Sequence, residues 1–281
     1  MEKILLAIDS TKINLDTLDF ACYVAVLTHS RLTGVFLLNQ QEKEAPVLRN
    51  MFGVTYAETV VAADIPGNIE KKKLCEKNIQ LFMEGCQRRG ISCSVHVDKG
   101  VATSELIAET RFADLLIVDS GMTLQERQEE APSTFLREVL AKSECPVAMA
   151  PPVFRGIDEI VFAYDGSASA VYALKQFTHL FKPLNDKKIT VLQVNNEEDE
   201  ELPIIEKEKI GDLLKVHYSS IGFQVLQGRV NDELGNYLHG KKNAFVIMGA
   251  FGRTMLSVFL KRSAADLVIK RINLPLFIAH R

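Results

Sequence analysis

Short, unbroken apolar runs alternate along this chain with longer stretches in which apolar and polar positions interleave. The first run, Ile4-Leu5-Leu6-Ala7-Ile8, stops at Asp9. A run without alternation suits a strand buried on both faces, as in a parallel sheet, so a strand is predicted at Lys3 to Ile8. The design returns at Ile160-Val161-Phe162-Ala163-Tyr164, which stops at Asp165. Serine-containing turns follow both aspartates, and helices are predicted over Leu15 to Thr28 and Ala168 to Phe181.

Further pairs repeat in the same order. Ile91 to Val97 and Ile221 to Gln227 both read as strands, and each leads into a matching phrase: Gly100-Val-Ala-Thr-Ser-Glu105-Leu106 against Gly228-Arg-Val-Asn-Asp-Glu233-Leu234. Leu115 to Asp119 and Phe245 to Gly249 are buried-type strands. Pro146 to Met149 and Pro275 to Ile278 are short strands opened by proline, which is tolerated at a strand's first residue or on an edge. Each half therefore reads β-α-β-α-β-α-β-α-β. Right-handed crossovers then give an open parallel sheet covered on both faces. The expected fold class is α/β, with two consecutive parallel-sheet domains at 1–150 and 153–281. Pro151 and Pro152 interrupt regular structure between them.

The halves differ in length. Asp9 and Asp165 lie 156 positions apart but Ile91 and Ile221 only 130, so the first half holds a surplus of 26. The surplus falls at 40–67, where Met51, Phe52, Val54, Tyr56, Val60 and Val61 lie between Pro46 and Pro66. A lid, a hairpin or a packing arm would each fit so long an insertion.

Composition narrows the function classes. With 47% hydrophobic and 25% charged residues the chain can bury ordinary cores. A net charge of −3 offers no general field for nucleic acid and no polybasic arm for lipid. Split after Pro152, the charge is uneven: 16 Lys/Arg against 21 Asp/Glu, then 17 against 15, which favours an anionic ligand in the second half. The five cysteines, Cys22, Cys75, Cys86, Cys93 and Cys145, are scattered without a C-x-x-C pair, and the six histidines show no metal spacing. A reducing compartment fits. The N-terminal apolar run is too short for a signal peptide and no stretch approaches a membrane span, so a cytoplasmic location is expected.

Ligands of an open parallel sheet bind beyond the carboxyl ends of its strands, where strand order reverses. In the second half the fourth strand runs there into Gly249-Ala-Phe-Gly252-Arg253-Thr254, with Arg262-Ser263 beyond. Glycines let backbone approach a phosphate, and N–H groups at a helix start favour an anion. Gly249-x-x-Gly252, nine residues, then Arg262-Ser263 resembles the G-x-x-G-x9-G-[S/T] loop of the universal stress protein family, and the resemblance spans the chain as a tandem pair. It implies a site for ATP or a related adenine nucleotide, with Asp165 at the adenosine and Gly249, Gly252 and Ser263 around ribose and phosphates. Arg262 stands where the family has its third glycine. It either fills the volume a phosphate needs or pairs with phosphate through its fork of donors. In the first half Asp119 and Met122 replace the first two glycines, while Ser133-Thr134 remains. A carboxylate there repels a triphosphate, so that half is expected to be a structural partner.

Plainer roles stand beside these. Asp9 and Asp165 can hold a turn, Gly249 and Gly252 can serve a tight strand-to-loop turn, and Ser263 can cap a helix. Arg253 and Lys261 can be solvated charges. The leading function is a non-enzymatic, stress-associated binding protein with a regulatory nucleotide in its second half. The competitors are a nucleotide-free interaction module and a slow ATPase, for which neither a general base nor a P-loop lysine can be named. Members of the family commonly pair through their last strands. That pairing is expected inside this chain, between Pro146–Met149 and Pro275–Ile278, with further dimerisation left open.

Overall fold

The computed structural model describes residues 1–37, 44–51, 54–61, 66–97, 102–124, 132–195, 203–249 and 273–279, with backbone alone at 44–51, 54–61, 66–67 and 231. Ten strands form one sheet. In the first half these are β1 (Lys3–Asp9), β2 (Arg31–Leu37), β5 (Cys93–Val97), β6 (Leu115–Asp119) and β7 (Val147–Ala150). In the second they are β8 (Glu159–Ala163), β9 (Lys188–Asn195), β10 (Ile221–Gln227), β11 (Ala244–Gly249) and β12 (Leu276–Ala279). The order across the sheet is β10-β9-β8-β11-β12-β7-β6-β1-β2-β5. Each half thus repeats one five-stranded parallel plan, and order reverses between its first and fourth strands.

The unbroken apolar runs form these strands because both faces are covered. Ile4, Leu6 and Ile8 of β1 join one core layer and Leu5 and Ala7 the other, all at most 4% exposed. Burying each large aliphatic side chain contributes roughly 1.5–3 kcal/mol. Helices α1 (Leu15–Thr28), α2 (Pro66–Gln87), α5 (Ala168–Leu180) and α6 (Lys207–Lys215) cover the first layer. Helices α3 (Ala102–Thr110), α4 (Thr134–Lys142) and α7 (Val230–His239) cover the second.

The halves join where the sequence predicts, through their last strands. Strands β7 and β12 are antiparallel, with Leu276 opposite Met149, Phe277 opposite Ala148 and Ile278 opposite Val147. Phe277 is the counterpart of Ala148 in the repeat, so the register is self-complementary, as a local twofold requires. The parallel sheets of the two halves therefore run on as one continuous sheet. Pro146 and Pro275 lie just outside their strands, and their carbonyls accept from Leu116 and Val246 N–H, each at 3.0 Å. On the first face Phe20 of α1 meets Phe245 of β11 edge-on with centroids 6.0 Å apart, and Phe154 packs on Phe20 and Tyr23 at 5.1 and 4.9 Å. Aromatic pairs of this kind add roughly 0.5–1.5 kcal/mol beyond burial.

The described part of the insertion is a pair of antiparallel strands. Strands β3 (Glu44–Met51) and β4 (Val54–Val61) pair antiparallel from Glu44 opposite Val61 to Met51 opposite Val54, in a sheet of their own.

Candidate functional site at the two strand-order reversals

In the first half β1 and β6 are neighbours, and the chain leaves β1 through a turn held by Asp9. Asp9 Oδ1 accepts from Thr11 N at 2.8 Å and from Thr11 Oγ1 at 2.7 Å, so this aspartate performs the turn-holding role. Asn14 then caps α1, its side-chain oxygen accepting from Asp16 and Thr17 N–H. Its amide nitrogen donates at 2.7 Å to Asp119 Oδ2, and the other carboxylate oxygen accepts from Gly121 N at 2.8 Å. Asp119 is thus built into the reversal point from two sides.

Met122 closes the first-half loop. It is 6% exposed, and its carbonyl accepts from Ser133 Oγ at 2.5 Å. Ser133 Oγ also accepts from Leu136 N at 3.1 Å, which makes it the cap of α4. Among the described residues, Asp9, Asn14, Thr17, Asp119 and Met122 line a cavity of about 140 Å³. Pockets for drug-sized ligands run from roughly 300 to 1,000 Å³.

The second half keeps the plan and fills it differently. Strands β8 and β11 are neighbours. Asp165 Oδ1 accepts from Ser167 N at 3.0 Å, and Ser167 caps α5 by accepting from Ala170 N at 3.1 Å. Gly166 between them has φ +78°, and a Cβ there would come within 2.8 Å of Ile205 Cδ1. Ile205 is fixed over this turn by its N–H, which donates to the buried Gln193 at 2.9 Å. At the end of β11 a Cβ on Gly249 would lie 2.5 Å from Ala170 N, 2.7 Å from Ser169 C and 2.8 Å from Ala170 Cα. All three are backbone atoms, so only glycine lets β11 end against the first turn of α5.

Among the described residues, two buried side-chain oxygens here have no hydrogen-bond partner: the Tyr164 hydroxyl, just before Asp165, and Ser169 Oγ in that first turn of α5. Burial pushes the Tyr164 phenol up from its ordinary range, and the Glu206 and Asp165 carboxylates add to the effect. Of the residues that the sequence nominates, Asp165 and Gly249 come together at this reversal. Gly252, Arg262 and Ser263, with Arg253 and Lys261, lie outside the described residues. Sequence reasoning missed Asn14, although an asparagine directly before Leu15-Asp16 is an N-cap signal. It also missed Ile205, for which no local pattern gives a sign.

No protein-family model matches the chain, and no curated protein matches it. Solved structures do. A universal stress protein from Archaeoglobus fulgidus DSM 4304 superposes with a TM-score of 0.69 at 15% identity, over 99% of this chain and 98% of that one. The chain has the universal stress protein fold. A candidate universal stress protein from Pseudomonas aeruginosa UCBPP-PA14 superposes with a TM-score of 0.59 at 12% identity, over 100% and 93%. A protein of unknown function from Pseudomonas aeruginosa PAO1 gives 0.61 at 11%, over 100% and 92%. All three alignments run through both halves. At such identities the likeness fixes the universal stress protein fold, and function has to be argued from the reversal points.

Proposed function

We propose that this protein is a cytoplasmic, stress-associated binding protein whose second half, 153–281, takes ATP or a related adenine nucleotide as a regulatory ligand. Its first half, 1–150, is the structural partner. The observation that carries the reading is the contrast between the fourth strands. Strand β11 ends in Gly249 beside Asp165 and leads into the sequence Gly252…Arg262-Ser263, whereas β6 ends in the Asp119 carboxylate, with Met122 buried over a cavity of about 140 Å³. A triphosphate is repelled by that carboxylate. The test is calorimetric titration of the full chain with ATP and adenosine. Saturable binding of ATP supports the reading, and binding of neither ligand overturns it.

A second reading, a nucleotide-free interaction module, draws on Gly249 itself. The backbone of Ser169 and Ala170 already accounts for a glycine there without any ligand. In that case Gly249→Ala would lower stability while Arg262→Gly would produce no ATP affinity. No helix among the described residues is long and apolar enough to cross a membrane, which is compatible with either reading.

A further inference from the structure

The histidines have no metal spacing along the chain, yet the fold brings two of them together in the second half. His179 lies in the last turn of α5, and His217 directly follows Val216, the cap residue of α6. The crossovers from β8 to β9 and from β9 to β10 lay these two helices on the same face of the sheet, where Leu174 and Phe177 of α5 and Ile210 and Leu214 of α6 enter one core layer. Their carboxyl ends meet at the two imidazole rings. The rings stand edge to face, with centroids 6.2 Å apart and planes at 74°. His179 is exposed and His217 half-buried. Among the described residues neither ring has a hydrogen-bond partner.

Spacing, field and anchoring all suit a shared cation. With metal–nitrogen bonds of about 2.0–2.1 Å an ion sits about 3.2 Å from each ring centroid, so two ligating imidazoles have centroids about 5.2 Å apart at the tetrahedral angle and about 6.4 Å apart in line. The observed 6.2 Å falls inside that span, and rotation of the exposed His179 side chain closes the remainder. Both rings stand at helix C-termini, where the backbone dipoles present partial negative charge and favour a cation. The backbone beneath them is fixed. His217 N–H donates to Leu214 O at 2.9 Å, and the next residue, Tyr218, is buried and donates to the same carbonyl at 2.8 Å. Phe177, two residues before His179, is fully buried. Among the described residues no third histidine, cysteine, aspartate or glutamate joins the pair, so water takes the remaining positions and the site stays open.

We propose that His179 and His217 form a two-histidine site for a divalent transition-metal ion of the zinc class, which clasps the carboxyl ends of α5 and α6. Imidazole nitrogen suits zinc, copper and nickel, whereas magnesium and calcium take oxygen ligands. The clasp joins the two helices whose opposite ends border Asp165: Ser167 caps α5, and Ile205, just before α6, lies over Gly166. The metal site does not rest on the nucleotide reading of that end.

The test strips the full-length, untagged protein with a chelator and titrates it with Zn2+ in a calorimeter, with Mg2+ as the control ion. One Zn2+ per chain is expected, and no Mg2+ at the same concentrations. His179→Gln and His217→Gln should each weaken Zn2+ binding about tenfold or more, and the double variant little further, because one ion needs both rings. His239→Gln, on α7 at the other face, should leave the affinity as it was. Zn2+ should raise the melting temperature of the wild type but not of the two single variants, a response that a mere ring contact does not give. Substitution with Co2+ should give a spectrum without a thiolate-to-metal band, which separates this pair from the cysteines. The wild-type titration and the cobalt spectrum stand even if a variant fails to fold. No Zn2+ binding, unchanged affinity in either single variant, or thiolate ligation of Co2+ would overturn the proposal.

Discussion

After β1 the chain runs from Asp9 to Asn14 before α1 begins, whereas after β8 it runs only from Asp165 to Ser167 before α5 begins. Three residues are nearly one helical turn, or about 4.5 Å of axial rise. In the second half the early helix closes on the end of β11, and glycine is the only residue that fits beneath it. In the first half the later helix leaves room for the Asp119 side chain, and the cap residue Asn14 holds it. The same strand plan thus yields a backbone-lined end in one copy and a carboxylate-lined end in the other. Helix start and strand end vary together, so neither loop can be read without its partner element.

The widest separation between the halves should come from placing charge in each loop. Gly252→Asp is expected to weaken ATP binding by at least about a hundredfold, because volume and negative charge enter beside the phosphates, while Met122→Asp changes it less than about twofold. Calorimetric titration of both variants checks this, and equal losses would mean that the site is misplaced. Next in size is the glycine contrast. Gly249→Ala should cost about 2 kcal/mol as an overpacked contact against fixed backbone, which lowers the melting temperature by about 4–8 °C. Gly121→Ala in the first half should cost less than about 0.5 kcal/mol, since among the described residues its Cβ would meet only Asp119 Oδ1, at 3.6 Å. Thermal melts that rank the two alike would break the comparison.

Arg262→Gly sharpens it. If the arginine fills the phosphate volume, the change restores a Gly-Ser pair and tightens ATP while adenosine binding stays as it was. That is the expected result. If the arginine grips a phosphate, ATP weakens about tenfold instead. The smallest effects belong to the caps. Ser167→Ala and Asn14→Ala should each cost about 1 kcal/mol in denaturant titrations, with Asn14→Ala the larger because Asp119 Oδ2 also loses its donor.

Most of the fold was legible because buried parallel strands advertise themselves. The run Ile4 to Ile8 needs no partner information, and its repeat at Ile160 to Tyr164 set the tandem reading. Element ends were less legible. Ile91 and Ser92 read as strand, but Ile91 N–H closes the end of α2 by donating to Cys86 O, so β5 starts at Cys93. The insertion 40–67 left three shapes open, since its apolar residues show no clean alternation, and the hairpin pairing emerges only in the structure. At the candidate site, Asp165 and Gly249 were nominated by their places after the first and fourth strands and by the resemblance of the loop that Gly249 opens. The packing reason for Gly249 lies in α5, about 80 residues earlier in the chain, where no local pattern reaches.

Native mass spectrometry of the purified full-length chain, counting adenine nucleotide per molecule at saturating ATP, tests the central claim most directly. The account predicts one nucleotide in the wild type and in Met122→Asp, and none in Gly252→Asp. Two nucleotides per chain, none in the wild type, or one that persists in Gly252→Asp would contradict it.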